Sequence, residues 1–263
     1  MDLEVVREQW EMQGAQPEGY ADALAQVRRA VGLVAAAGRA LLGDAGGSLE
    51  WLTESRAFAT APSGGKRVAF APARGSLEIT DAAGKVQQQL ALDGKSVADA
   101  SSWLAAQIGK PVAGGAGGGP FALGAKAALE DITRSYANAV RALHCVRAIA
   151  KSDDPVRVAA DPLHVSCSVA FGGGNGIGLG YAPGDGEIQE PYFYVKPCPV
   201  PAYDADSLPE LEGGGEWKTD GSWFGGYLRR AEWVWYDAEQ LQAGATVSFL
   251  DSCVDAARAL FEK

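Results

Sequence analysis

Two residue types that often catalyse reactions stand close together between residues 163 and 171, namely His164 and Cys167. An imidazole titrates near neutral pH and can accept a proton from a thiol, so the pair is a candidate base and nucleophile. If both share one face of a strand, they lie about 7 Å apart, and direct proton transfer needs a bend in the strand. The alternative is structural, with His164 bonded to backbone at a strand end. The other histidine, His144, lies beside an apolar helical stripe, where we expect it to be partly buried.

The segment PYFYVKPCPVP, residues 191–201, places three aromatic residues in a row before a lysine. In a strand, Tyr192, Tyr194 and Lys196 point to the same face, and they are candidate ligand-binding residues. Proline cannot donate to a sheet ladder, so the alternative is an edge strand that leads into an extended arm.

Six glycines crowd the segment FGGGNGIGLGY, residues 171–181, which invites comparison with phosphate-binding loops. A dinucleotide fingerprint requires glycines at relative positions one, three and six before a helix, and no register of this segment satisfies that spacing. The alternation in IGLGY instead favours a strand whose glycines admit a backbone or a bulky ring. We predict a structural role for Gly176 and Gly178, and no bound cofactor.

The amino-acid composition limits which partners, metal sites and cellular locations we expect. The chain carries 23 basic and 33 acidic residues, so a nucleic-acid partner is not expected. Four cysteines without CxxC spacing predict free thiols and no metal site. A segment of about 20 apolar residues, which a bilayer span needs, is missing, and we predict a cytoplasmic protein that does not enter membranes.

Hydrophobic periodicity predicts the order of the elements. Helices are expected at residues 20–42, 96–108, 123–150 and 246–261, with strands in SLEWLT, RAFAT, KRVAFAP, SLEIT and KVQQQLAL. Further strands are expected in LHVSCSVAF, IGLGY, PYFYV and RRAEWVWY, where Trp233 and Trp235 would share a face.

These elements predict an α+β fold of two similar halves packed together, each running helix, antiparallel strands, helix. The halves are 1–110 and 121–263, joined by the Gly/Pro connector 111–120, and together they form one integrated domain. Similar order within the halves suggests an internal duplication.

Several segments together resemble a bacterial family catalogued as a domain of unknown function, number 5996. They are DGKSVADASSWL, PLHVSCSVAF, GGGNG, EPYFYVKPCPVP, WVWYDAEQL and FLDSCVDAARAL. The resemblance runs from about residue 20 to the end, and it implies the fold and a cytoplasmic location but no activity. The family carries a Trp and an Asp after the histidine that this chain lacks after His164.

Two functions follow from these observations. The first is a small-molecule-binding protein or enzyme with a pocket between the halves, lined by His164, Tyr192, Tyr194 and Lys196, with His164 and Tyr194 about 10 Å apart or less. The alternative is a non-catalytic interaction module whose acidic, proline-rich arm meets a basic protein partner. Residues 183–220 contain nine acidic residues and two lysines, which favours such a partner.

Overall fold

The structure is a computed structural model that describes residues 1–114, 118–220 and 223–262. These residues form helices and antiparallel strands, so the predicted α+β class is confirmed. The internal duplication stays a prediction.

Capping residues set both limits of the helix Val97–Ile108, which is α3. Ser96 and Asp99 form a reciprocal capping box at the start of α3, and Gly109 ends that helix in the left-handed conformation. The helices are α1 Leu3–Gln9, α2 Tyr20–Leu42, α3 Val97–Ile108, α4 Lys126–Ile149, α5 Arg230–Trp233 and α6 Glu239–Phe261.

The strands include those predicted in the first half of the chain. They are β1 Ser48–Leu52, β2 Ala57–Ala59, β3 Lys66–Ala71, β4 Ser76–Asp81, β5 Val86–Ala91, β6 Arg157–Ala159, β7 Val165–Gly172, β8 Asn175–Ala182, β9 Tyr192–Cys198, β10 Glu216–Lys218 and β11 Gly225–Arg229.

Two compact units divide the chain, and neither is continuous in sequence. The site unit comprises Met1–Ala15, Asn138–Val156 and Val165–Lys263, and the second unit comprises Gln16–Ala137 and Arg157–His164. Strand order is β10-β11-β9-β8-β7 in the site unit and β6-β1-β2-β3-β4-β5 in the second unit. This division differs from the halves 1–110 and 121–263 expected from the sequence.

The contacts of α4 explain the difference. Its first half belongs to the second unit, where Tyr136 stacks 5.7 Å from Trp51 and meets Phe58 edge-on at 4.7 Å. Its second half belongs to the site unit, where Asn138 accepts from the Glu11 amide and donates to the Glu11 carbonyl. Side-chain packing, and not the glycine-rich connector, therefore sets the boundary.

The described parts of the connector lie within the second unit. The described parts of it, residues 111–114 and 118–120, are exposed except for the half-buried Val112. Arg29 holds its far end through a 2.7 Å hydrogen bond to the Gly119 carbonyl. The middle of the predicted connector, residues 115–117, lies outside the described residues.

The prediction of a strand at RRAEWVWY is wrong. β11 ends at Arg229, and the chain turns into the short helix α5, so Trp233 is buried whereas Trp235 is 85% exposed. The buried Arg230 guanidinium explains the turn, because it donates two hydrogen bonds to the Gly14 carbonyl at 2.7 and 3.0 Å. Alternating aromatic residues resembled a strand, but a long-range contact determines the local structure.

The prediction of an edge strand at PYFYV is also wrong, because β9 lies between β8 and β11. β11 pairs with residues 192–195 and does not reach Pro197. The proline therefore interrupts no pairing on that side of the sheet.

Candidate functional site

The register of the site unit separates its sheet into two faces. One face carries Tyr192, Tyr194 and Lys196 of β9, opposite Ala182, Gly180 and Gly178 of β8. Tyr227 and Arg229 of β11 continue this face beside Tyr194 and Tyr192. We call it the Tyr–Lys face. The structure thus brings together the three candidate ligand-binding residues.

The other face, which we call the helix face, packs against α6. Cys167, Leu179 and Phe193 are buried there. Contact with α6 is so close that a Cβ added to Gly226 would lie 2.5 Å from the Cys253 sulfur. This face is filled by side chains of the protein itself.

Gly180 makes room for the ring of Tyr194. A Cβ at Gly180 would lie 2.6 Å from Tyr194 Cζ, from its hydroxyl oxygen and from the Val165 carbonyl oxygen. Burial raises the pKa of Tyr194 to about 12, although a hydrogen bond with Ser166 acts in the opposite direction. The phenol therefore stays protonated at neutral pH.

Lys196 lies against aromatic rings. Its Nζ is 4.1 Å from the centroid of the Trp223 ring and 5.1 Å from that of Tyr194, distances typical of cation–π contacts. Burial lowers the pKa of Lys196, and the nearby charge of Lys218 also lowers it, while Asp185 and Glu187 act in the opposite direction. The amine is thus easier to deprotonate than an exposed lysine.

Tyr192 fastens the loop between β8 and β9 to the face. Its hydroxyl donates to Asp185, whose carboxylate also accepts from the amides of Glu187 and Ile188. Burial, together with the Asp185 carboxylate, raises the pKa of Tyr192. This hydrogen bond connects the loop to the Tyr–Lys face.

A groove of about 500 Å³ adjoins the Tyr–Lys face. Tyr227 and Ile188 line the groove and also pack against Tyr192 and Tyr194. The other lining residues are polar, aromatic or charged: Glu187, Gln189, Glu190, Trp217, Lys218, Asp220 and Arg229. Such a mixture suits a ligand with a flat apolar part and several polar groups.

Ion pairs hold the cations of the groove. Lys218 Nζ lies 3.5 Å from Glu187 and 3.4 Å from Asp220. Arg229 pairs with Glu216 at 3.0 Å, and the same carboxylate accepts from the Tyr227 hydroxyl at 2.6 Å. Burial first, and then this hydrogen bond, raises the pKa of Tyr227 to about 12.

His164 and Cys167 do not form a shared strand face. Three positions separate them, β7 begins after His164, and the two residues belong to different compact units. The His164 carbonyl accepts from the Ala159 amide at 2.8 Å. Burial raises the pKa of Cys167 to about 12, so this thiol is protonated and a poor nucleophile. The proximity of His164 and Tyr194 stays a prediction.

The glycine segment forms the hairpin between β7 and β8. Gly173 and Gly174 occupy its two-residue turn with φ values of 63° and 86°, as a type I′ turn requires. Along β8, a Cβ at Gly176 would come within 2.7 Å of the Val169 carbonyl oxygen, whereas one at Gly178 would meet no atom within 4 Å. The packing role expected of Gly178 belongs to Gly180.

Sequence reasoning missed Trp223 and Tyr227, which complete the aromatic surroundings of Lys196. The available signal was the segment WFGGY, residues 223–227, in which three aromatic residues flank a pair of glycines. Gly225 lies beside Lys196, and a Cβ there would come within 3.1 Å of the Trp223 ring. Only the strand pairing shows that this segment faces β9.

Within residues 1–114, 118–220 and 223–262, no group of three His, Cys, Asp or Glu side chains is arranged to hold a metal ion. No helix in the part of the chain that the structure describes is both long and apolar enough to cross a membrane.

Comparison with known proteins identified no matching family model, no similar curated protein and no similar solved structure. The resemblance to the domain-of-unknown-function family 5996 stays a prediction.

Proposed function

We propose that this chain binds a small organic molecule on the Tyr–Lys face and in the groove beside it. The observation that carries the proposal is the convergence of Tyr194, Lys196, Trp223 and Tyr227 next to a groove of about 500 Å³. Ligand sites commonly combine aromatic walls with a few placed polar groups. The sequence suggested a pocket between two halves, whereas this proposal uses the site unit alone.

Aromatic rings and charged groups have separate tasks in this site. The rings of Trp223 and Tyr227 supply apolar contact area for a planar part of the ligand. Lys196 supplies a hydrogen-bond donor that the described ion pairs do not use, because those pairs involve Lys218 and Arg229. A planar compound with an acceptor or carbonyl substituent fits this arrangement.

The test is ligand-observed NMR on the full chain with a library of small aromatic acids, amides and carbonyl compounds. Gly178→Val should block the open side of Lys196, since no atom lies within 4 Å of a Cβ built there. Gly124→Val is the matched control, because that glycine in the second unit has the same free space.

We expect compounds that bind the wild type and the Gly124→Val protein but bind the Gly178→Val protein at least about tenfold more weakly. Equal binding to all three proteins, or no binding to the wild type, would contradict the proposed site.

A second candidate function is the interaction module with a basic protein partner. It is favoured by the exposure of Asp204, Asp206, Glu210 and Glu212 on the segment that follows β9. That segment is anchored by Tyr203, which stacks on Phe224 at 4.1 Å, and by Trp217, which donates to the Pro209 carbonyl at 2.7 Å.

Co-purification from the native host distinguishes this function from ligand binding. The double substitution Asp204→Asn and Asp206→Asn should release a basic partner. Binding of that partner to the wild type should weaken as the salt concentration rises. The Gly178→Val substitution should leave such a partner bound. If the protein with both substitutions retains the same partners as the wild type, the interaction module is refuted.

A further inference from the structure

We propose that Lys196 is a covalent attachment point, whose amine forms an imine with an aldehyde or ketone group of the ligand. This inference rests on the proposed function, because it assigns a reaction to the same site. Its basis is the arrangement of four residues in one row across the sheet, Gly178, Lys196, Gly225 and Lys218.

The row leaves one side of Lys196 open. A Cβ at Gly178 would have no heavy atom within 4 Å, so the space above β8 next to Lys196 is unfilled. One row further along β8, the corresponding space above Gly180 is filled by the ring of Tyr194. A small carbonyl group therefore has access to Lys196 from the Gly178 side.

The other side of Lys196 is walled by Trp223. The ring edge of Trp223 lies over Gly225, and the Lys196 amine lies 4.1 Å from the ring centroid. The ring thus covers that side of the amine. It also offers a surface on which a planar group next to the carbonyl could stack.

The surroundings of Lys196 favour the neutral amine that must attack. Nucleophilic lysines are activated by desolvation or by a neighbouring cation. Both causes act here, since burial and the charge of Lys218 lower the pKa of Lys196. The carboxylates of Asp185 and Glu187 oppose them, and the neighbouring Tyr194 phenol is protonated.

Lys218 is a natural internal comparison, because it lies over the same ring at 5.8 Å. Burial disfavours its charge, but the hydrogen bonds and charges of Asp220 and Glu187 outweigh burial and raise its pKa. Two lysines beside one tryptophan thus differ in readiness to react. Lys218 should stay protonated while Lys196 attacks.

The reaction balances without an oxidant or reductant. The lone pair of the Lys196 nitrogen forms a bond to the carbonyl carbon, and the carbonyl oxygen takes up a proton as the nitrogen loses one. The resulting carbinolamine loses its hydroxyl group as water, and a carbon–nitrogen double bond forms. Water and the exchanged protons pass to and from solvent.

The experiment uses the full chain, limiting benzaldehyde and sodium cyanoborohydride, which reduces the imine to a stable secondary amine. Peptide mass spectrometry then measures the modification of every lysine over time. We expect Lys196 to be modified at least about tenfold faster than Lys218, because the open Gly178 side gives the reagent access and a larger fraction of the Lys196 amine is neutral.

Two variants keep the test independent of folding. Gly178→Val retains Lys196 but blocks its open side, so it should slow modification of Lys196 and leave that of the exposed Lys85 unchanged. Gly124→Val, the matched control in the second unit, should leave the rate at Lys196 unchanged, because it adds the same side chain outside the site. Circular dichroism of each variant verifies that the fold persists.

Failure of the imine is distinguishable from failure of the binding site. If Lys196 reacts no faster than Lys218 or Lys85, the imine proposal is overturned. If NMR then still shows compounds that Gly178→Val weakens, the proposed binding function stands, and if it shows none, both proposals fall.

Discussion

The two faces of the sheet in the site unit are built from the same strands but are completed differently. On the helix face, the ring centroid of Phe193 lies 5.2 Å from that of Trp233 and 5.3 Å from that of Tyr181. Helix α6 covers this face. On the Tyr–Lys face, the glycines of β8 leave space above the strand. The Tyr194 ring fills this space at Gly180, whereas no atom fills it at Gly178. Alternation along β9 therefore separates residues that hold the fold from residues that can meet a ligand.

Cysteine reactivity should differ most strongly between the faces. Cys198 is exposed on the same side of β9 as Lys196, while Cys167 and Cys253 are buried on or against the helix face. Burial raises the pKa of both buried thiols. Native thiol titration should label Cys198 on the order of a thousandfold faster than Cys253, which must wait for an opening reaction.

Fast labelling of Cys253 in the native protein would contradict the position of α6. A Cys198→Ser variant is the control, since it should remove the fast phase and leave the slow one.

Truncating the helix face should cost the most stability. Phe193→Ala removes a fully buried ring and should lower the free energy of unfolding by about 3–5 kcal/mol. Urea denaturation measures the loss. A loss below about 1 kcal/mol would show that β9 does not pack as described.

Gly180 and Gly178, two of the three glycines of β8, should respond differently to the same substitution. Gly180→Ala should destabilise by about 1–3 kcal/mol, because the new methyl group would clash with Tyr194 and the Val165 carbonyl. Gly178→Ala should change stability by less than about 0.5 kcal/mol, because its methyl group enters free space. If both substitutions lower the stability equally in thermal denaturation, the distinction between filled space at Gly180 and open space at Gly178 is refuted.

Removing the Tyr194 hydroxyl should cost less stability than truncating Phe193. Tyr194→Phe loses the hydrogen bond with Ser166 and should cost about 1 kcal/mol at neutral pH. The folded pKa of about 12 lies above the ordinary 10.0, so the wild type loses stability as the pH rises from 10 toward 12.

The free energy of unfolding of the wild type should therefore exceed that of Tyr194→Phe by a constant amount below pH 10. Above pH 10 this advantage of the wild type should decrease. Unfolding curves at several pH values measure this difference. If the stability advantage of the wild type instead grows above pH 10, Tyr194 ionises readily in the folded protein.

The local sequence predicted those elements whose limits are set by local residues. Ser96 and Gly109 cap α3, and the two-residue period of PYFYVK placed Tyr192, Tyr194 and Lys196 on one face. α6 begins at Glu239, seven positions before the predicted start, because its polar first turns lacked an apolar stripe.

The remaining features depend on contacts that are distant in sequence. Trp223 reaches Lys196 only because β11 pairs with β9. The unit boundary inside α4 likewise follows from the separate partners of Tyr136 and Asn138. No local pattern records such pairings, so neither the walls of the site nor the unit division could be derived from the sequence.

A crystallographic fragment screen tests most directly whether the Tyr–Lys face is the ligand-binding surface. We expect planar compounds bound beside Lys196 on the Gly178 side, stacked against Trp223 or extending into the groove at Tyr227. Fragments that bind repeatedly at other places while this face stays vacant would contradict it.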